Sequence, residues 1–158
     1  MVKYYNAMVV FVEVPDEITI AINITNCPCN CRGCHSKFLW EDVGTELSFK
    51  ELDDLLKKNE GVTCVCFMGG DREPDYINEL AFFVKENHKA IKTAWYSGRD
   101  EMSRAISLDN FDFIKIGHYD EKFGGLDKRT TNQRMYQVIK KGENEHELSD
   151  ITKKFWKL

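Results

Sequence analysis

The chain has 158 residues, 42% of them hydrophobic, enough for one domain with a substantial core. Its 22 Lys and Arg are outnumbered by 26 Asp and Glu, and no basic stripe stands out, which argues against DNA or other nucleic acid as a partner. No apolar run reaches membrane-spanning length, and "MVKYYNAMVVFVEVPDE" lacks a signal peptide's apolar region and cleavage site, so a cytoplasmic protein with no membrane partner is expected.

Alternation in "EITIAINIT" places Ile18, Ile20, Ile22 and Ile24 on one face and Thr19, Ala21 and Asn23 on the other, predicting a strand with one polar face. It runs directly into "NCPCNCRGCH", Asn26 to His35, which holds four of the chain's six cysteines. Ser48 and Glu51 form a capping-box pattern at the head of "SFKELDDLLKKNEG", where Phe49, Leu52, Leu55 and Leu56 recur at helical spacing until Gly61. The continuous apolar run from Val62 to Met68 predicts a buried parallel strand that breaks at Gly69-Gly70.

A second helix is predicted from Pro74, with Tyr76, Ile77, Leu80, Phe83 and Val84 facing inward. "IKTAWY" then predicts a strand ending at Ser97-Gly98, residues 99–107 a short helix, and "FDFIKIG" a further strand ending at Gly117. The tail 143–158 opens as a charge run and continues with Leu148, Ile151, Phe155 and Trp156 at near-helical spacing, and it is expected to pack on its own domain. The repeated strand, loop and helix predict an α/β fold with a mostly parallel sheet in one domain, residues 1–158. The units are too few to close an eight-stranded barrel, so a partial, open parallel β/α barrel is expected, with one side of the sheet left uncovered.

In such sheets ligands gather at the carboxyl ends of the strands. Four motifs fall there: the cysteine loop, Gly69-Gly70-Asp71, Ser97-Gly98 and Gly117-His118. Zinc sites join Cys pairs into a tetrahedron, but Cys64 and Cys66 share one face of an apolar strand and read as small core hydrophobes. Within the loop, Cys27, Cys31 and Cys34 form C-x3-C-x2-C and leave Cys29 as a bystander in the first spacer. Three thiolates suit a 4Fe-4S cluster that keeps one iron open to a substrate. All four loop cysteines holding zinc, or a passive iron–sulfur cluster, form the non-catalytic alternative. Lys115 interrupts an apolar strand; it either faces the interior, where a buried ammonium needs an anion, or lies in water on an edge strand.

C-x3-C-x2-C is the signature of radical S-adenosylmethionine enzymes, and "CPCNCRGCHSKFLW" resembles the activating proteins of the anaerobic ribonucleotide reductase. Cys27, Cys31, Gly33, Cys34, His35, Ser36 and Trp40 fall in that family's pattern. "MGGD" at 68–71, "WYSGR" at 95–99 and "GGLDKRTTNQRMY" at 124–136 follow in the family's order, so the resemblance spans about residues 8 to 140. The chain departs from the pattern at "EVPDE" and Asn26, where the family has a Gly-rich turn and a Gly before the first cysteine.

The resemblance implies an enzyme in which Cys27, Cys31 and Cys34 ligate a 4Fe-4S cluster that reductively cleaves S-adenosylmethionine, making a glycyl radical on the reductase. By the same resemblance Gly33, Cys34 and His35 contact S-adenosylmethionine near the cluster. Gly69 and Gly70 would let backbone approach its methionine part, where a side chain at Gly70 would crowd it, and Asp71 would accept from its amino group. Ser97 and Lys115 are candidates for its carboxylate or ribose. The implied partners are the catalytic subunit of the anaerobic ribonucleotide reductase and an electron donor such as flavodoxin or ferredoxin. Activases of other glycyl-radical enzymes are the runner-up; they are generally longer and lack the "TTNQR" tail.

Overall fold

The computed structural model describes residues 1–156. Its eight strands are β1 (Lys3–Val10), β2 (Thr19–Ile24), β3 (Thr45–Glu46), β4 (Cys64–Met68), β5 (Lys92–Tyr96), β6 (Phe113–Ile116), β7 (Arg134–Gly142) and β8 (Glu145–Asp150). Two helices are interleaved, α1 (Phe49–Lys58) between β3 and β4 and α2 (Pro74–Asn87) between β4 and β5. The strands form one mixed sheet in the order β3-β1-β2-β4-β5-β6-β7-β8.

The expectation of a mostly parallel sheet is corrected. The pairings of β2 with β4, β4 with β5 and β5 with β6 are parallel. The pairings of β1 with β2 and β3, of β6 with β7 and of β7 with β8 are antiparallel and make the majority. The fold is therefore a mixed α/β sheet with a parallel centre and antiparallel flanks. Parallel pairing needs a long crossover, and α1 and α2 supply the first two; past β6 the chain turns back through the irregular segment 117–133 and then through the tight β7–β8 turn, and pairing becomes antiparallel.

Both helices lie on one face. Ser48 Oγ accepts the Glu51 N–H at 3.0 Å and starts α1, while Pro74 occupies the first turn of α2, where its missing N–H costs nothing. Leu52 and Leu56 of α1 and Ile77, Leu80, Ala81 and Val84 of α2 join Ile20, Ile22, Ile24, Val65, Phe67, Trp95 and Ile114 in one buried cluster. Each Val, Leu, Ile or Phe among them contributes about 1.5–3 kcal/mol by leaving water.

The opposite face was expected to be open and is largely covered. Cys64, Cys66, Ala94, Phe113 and Met135 lie beneath Val14, Leu126 and Ile151, which irregular segments bring over the sheet. Thr19 and Ala21 on the supposedly polar face of β2 are buried for the same reason, and Ile18, outside the strand, is exposed.

Two further expectations are corrected. Residues 99–107 form turns, followed by a short 3-10 helix at Leu108–Asn110. Ser103 Oγ takes the Ala105 N–H and Asn78 Oδ1 takes the Ser107 N–H, diverting donors that an α-helix would need. The tail is a strand, β8, paired with β7 through a turn in which Asn144 adopts φ 57°, and it continues into a 3-10 helix at Thr152–Phe155. Residues 157 and 158 of that tail lie outside the described residues. Among the described residues, no helix is long and apolar enough to cross a membrane.

Candidate functional site

Because β2, β4, β5 and β6 run parallel, their carboxyl ends share one edge of the sheet, and the segments that follow them meet there. The cysteine loop leaves β2 and is pinned at its entry: the N–H groups of Asn26 and Cys27 donate to Glu41 O at 2.9 Å and Leu39 O at 3.0 Å. Arg72 Nε donates to Asn26 O at 3.1 Å from the β4 side. Leu39, buried in the 3-10 helix Lys37–Trp40, closes the loop, and the Cys34 N–H bonds back to Cys31 O at 3.2 Å.

Asp71 is the hub of the site. Its Oδ1 accepts from Ser97 Oγ at 2.5 Å, and its Oδ2 accepts from the Gly98 N–H at 2.8 Å and from Cys29 Sγ at 3.7 Å. One buried carboxylate thus ties the ends of β4 and β5 to the cysteine loop. Cys29, read from sequence as a bystander, is the cysteine that makes this contact. Space is tight here, for a Cβ on Gly98 would stand 2.9 Å from Cys29 Sγ.

The loop thiols differ in character. Cys29, hydrogen-bonded to Cys27 and buried beside Asp71, is held well above the ordinary thiol value. Its hydrogen bond lowers Cys27 to about 6, with Arg99 assisting. Burial raises Cys31, opposed by a backbone hydrogen bond from Tyr119. Cys34 Sγ accepts the Ser36 N–H at 3.3 Å. All six cysteines are free; the four of the loop are half-buried, whereas Cys64 and Cys66 are fully buried and burial raises both.

The segment after β6 wraps this loop; sequence reading marked its Gly117-His118 but missed Tyr119 and Glu121. His35 Nε2 lies 3.2 Å from Tyr119 Oη, and Arg32 pairs with Glu121 at 3.4 Å. Gly33, at φ 74°, has Glu121 where a Cβ would project, 2.6 Å from Oε2, so both backbone and space call for glycine. The signal available in sequence was "GHYDE", a polar run at the carboxyl end of a strand.

Gly69 and Gly70 follow β4, with the Gly69 N–H on Tyr96 O at 3.0 Å and Gly69 O taking Trp95 Nε1 at 2.7 Å. Gly70 carries a packing requirement of its own, beside the cofactor approach expected of it. At φ 92° its Cβ would strike Ile77 Cδ1 at 2.5 Å, so glycine is required there by the core beneath the turn.

Lys115 answers the question its sequence left open. It is 7% exposed, on a central strand, and Nζ donates to Ser97 O at 2.9 Å and Gly117 O at 2.8 Å. Among the described residues no carboxylate takes this ammonium directly; two carbonyls at the ends of β5 and β6 do, with the Tyr96 ring 5.8 Å away and Asp71 acting through space. Burial pulls its pKa down to about 8. Among the described residues, no three His, Cys, Asp or Glu side chains gather closely enough to hold one metal ion.

A four-iron cluster makes a different demand, one thiolate on each of three irons, so its ligands stand apart across the cluster. Cys27, Cys31 and Cys34 fit that donor set: they are free, half-buried, on one loop, and near enough for the charges of Cys27 and Cys34 to act on Cys31. Compared with known proteins, the chain matches no family model, and no curated protein or solved structure proves similar to it.

Proposed function

We propose that the chain is a radical S-adenosylmethionine activase that generates a glycyl radical on the anaerobic ribonucleotide reductase. The observation that carries this reading is the convergence on Asp71, which brings Cys29 of the cysteine loop, Ser97 and Gly98 within hydrogen-bond reach of one carboxylate. Motifs separated by tens of residues, each matching the family by resemblance, meet at the carboxyl ends of parallel strands, where such folds hold ligands. In this reading β2, β4, β5 and β6 are staves of a partial, open barrel.

Cys27, Cys31 and Cys34 would hold the 4Fe-4S cluster, which supplies one electron to the sulfonium of S-adenosylmethionine. The chain's own residues shape the site around it. Cys29 and Asp71 brace the loop from the β4 side, and Tyr119 and Glu121 brace it from the β6 side. Lys115 locks the ends of β5 and β6 together, so it acts as a positioning residue and not as a direct contact to the S-adenosylmethionine carboxylate. His35, held against Tyr119, and Ser97, held by Asp71, present polar groups on the same edge. The partners are the reductase subunit and a flavodoxin or ferredoxin donor, in the cytoplasm.

Anaerobic reconstitution tests the reading. The expected result is about four irons with matching acid-labile sulfide per chain, and reductant-dependent release of 5′-deoxyadenosine from S-adenosylmethionine. Stoichiometric zinc with no such release would replace it with a structural metal module.

A further inference from the structure

α2 carries a second ordered face. Its buried side, Ile77, Leu80, Ala81 and Val84, packs on the sheet. The residues turned furthest from that side, Asp75, Glu79, Phe82 and Glu86, recur at alternating spacings of four and three and are all exposed. Phe82 is 53% exposed, and beside it Phe83 stacks on Phe49 of α1, itself 41% exposed, with ring centroids 5.4 Å apart. These three rings, with Glu79 and Glu86, line an open groove of about 420 Å³.

The charges along this seam have one sign. Among the described residues, Asp75, Glu79 and Glu86 enter no ion pair, while Lys50 and Lys57 of α1 and Lys85 of α2 are held by Asp54, Asp53 and Asp112. A solvated helix face commonly mixes signs, because Glu and Lys one turn apart support each other. Here three carboxylates flank an exposed ring, and the seam itself holds no cation.

That charge decides what covers the groove. A second copy of the chain, of net charge −4, would set the same carboxylates against one another in a symmetric pairing. Nucleic acid or an anionic lipid surface would be repelled in the same way. A small cation can answer one carboxylate, but Glu79 and Glu86 stand two turns apart, about 10 Å along the axis, with the rings between them.

We propose that this seam docks a basic amphipathic helix of a partner protein. Its aromatic or aliphatic anchor enters between Phe82, Phe83 and Phe49, and Lys or Arg one turn before and one turn after the anchor reach Glu79 and Glu86. The inference does not rest on the cluster reading.

Titration of the isotope-labelled full, iron-free chain under reducing conditions and low ionic strength, followed by amide chemical shifts, tests it. The probes are the helical peptide acetyl-AKAAKAAFLAAKAAKA-amide, its counterpart with every Lys replaced by Glu, and n-butylammonium. The expected result is saturable one-to-one binding of the Lys peptide, with shifts centred on α2 and Phe49 and the Glu peptide at least about fivefold weaker. Added salt should narrow that difference. Glu79→Lys combined with Glu86→Lys should reverse the preference, and Phe82→Ser should weaken both peptides alike, each with the circular dichroism of wild type because these positions are exposed. Absence of saturable shifts at millimolar peptide, equal affinity for the two peptides, or a double variant that keeps the wild-type preference overturns the proposal. So does n-butylammonium that displaces the Lys peptide at equal concentration, which gives the groove to a free cation. Concentration-dependent shifts of α2 in the peptide-free chain overturn it in favour of a second copy.

Discussion

Replacing Lys115 with Met removes an ammonium that the fold holds out of water. Burial brings the Lys115 pKa from an ordinary value of 10.5 to about 8, a difference equivalent to roughly 3 kcal/mol. The folded state therefore binds fewer protons than the unfolded chain between about pH 8 and pH 10.5, and stability from this group rises with pH across that window. Below the folded value both states are charged and the penalty is constant. Cys64, raised to about 12, with Cys66 and Tyr96 also raised by burial, acts in the opposite sense, because these groups stay protonated while their unfolded counterparts ionise. They are common to wild type and variant, so the difference between the two proteins isolates Lys115. Urea unfolding of the reduced, iron-free chain, followed by fluorescence of the buried Trp95, measures it. Wild-type stability should gain on Lys115→Met by roughly 2–3 kcal/mol between about pH 7.5 and pH 10. Parallel curves, or a wild type that loses ground to the variant, would refute the placement of a charged lysine in this interior.

Cys29→Ser keeps a donor toward Asp71 and should retain iron and sulfide after reconstitution, whereas Ser at Cys27, Cys31 or Cys34 should lose both; iron loss on changing Cys29 alone would break the three-thiolate assignment. Gly70→Val combines left-handed backbone strain with a collision at Ile77, and should cost roughly 2–5 kcal/mol in unfolding free energy. A variant of wild-type stability that binds S-adenosylmethionine weakly would contradict the packing requirement and leave the cofactor as the reason for glycine. Asp71→Asn exchanges a carboxylate oxygen for a donor facing Gly98 N–H and Cys29, or Ser97, and should cost about 2–3 kcal/mol together with iron loading; an unchanged denaturation midpoint would remove Asp71 from its central role.

Where one kind of residue dominated a segment, its structure was legible. β2 and β4 followed from Ile alternation and an unbroken apolar run, and α1 and α2 from Ser48, Pro74 and their inward stripes. β1 was not, because its burial is irregular along the strand and a register shift between Tyr4 and Asn6 breaks the alternation. The β7–β8 hairpin was hidden by charge, and Leu148, Ile151 and Phe155 imitate a helical stripe although Leu148 is on an exposed strand and Ile151 packs over the sheet beside Val14 and Leu126. In the site, spacing alone pointed to the cysteine loop and the strand ends. The Asp71–Cys29 contact and the Tyr119 and Glu121 brace depend on long-range approach, which no local pattern encodes. Segment 11–16 carries no periodicity, so its path over the sheet had no signature.

The central claim is that radical chemistry started on this chain ends on a glycine of another. Its most direct measurement is electron paramagnetic resonance of the anaerobically reconstituted protein mixed with S-adenosylmethionine, a reductant and the cognate anaerobic reductase. A stable glycyl radical on the reductase, formed together with 5′-deoxyadenosine and absent with Cys31→Ser, is the predicted result. An intact cluster that cleaves S-adenosylmethionine yet leaves no radical on the reductase, or that turns over a free small molecule without it, would contradict the account.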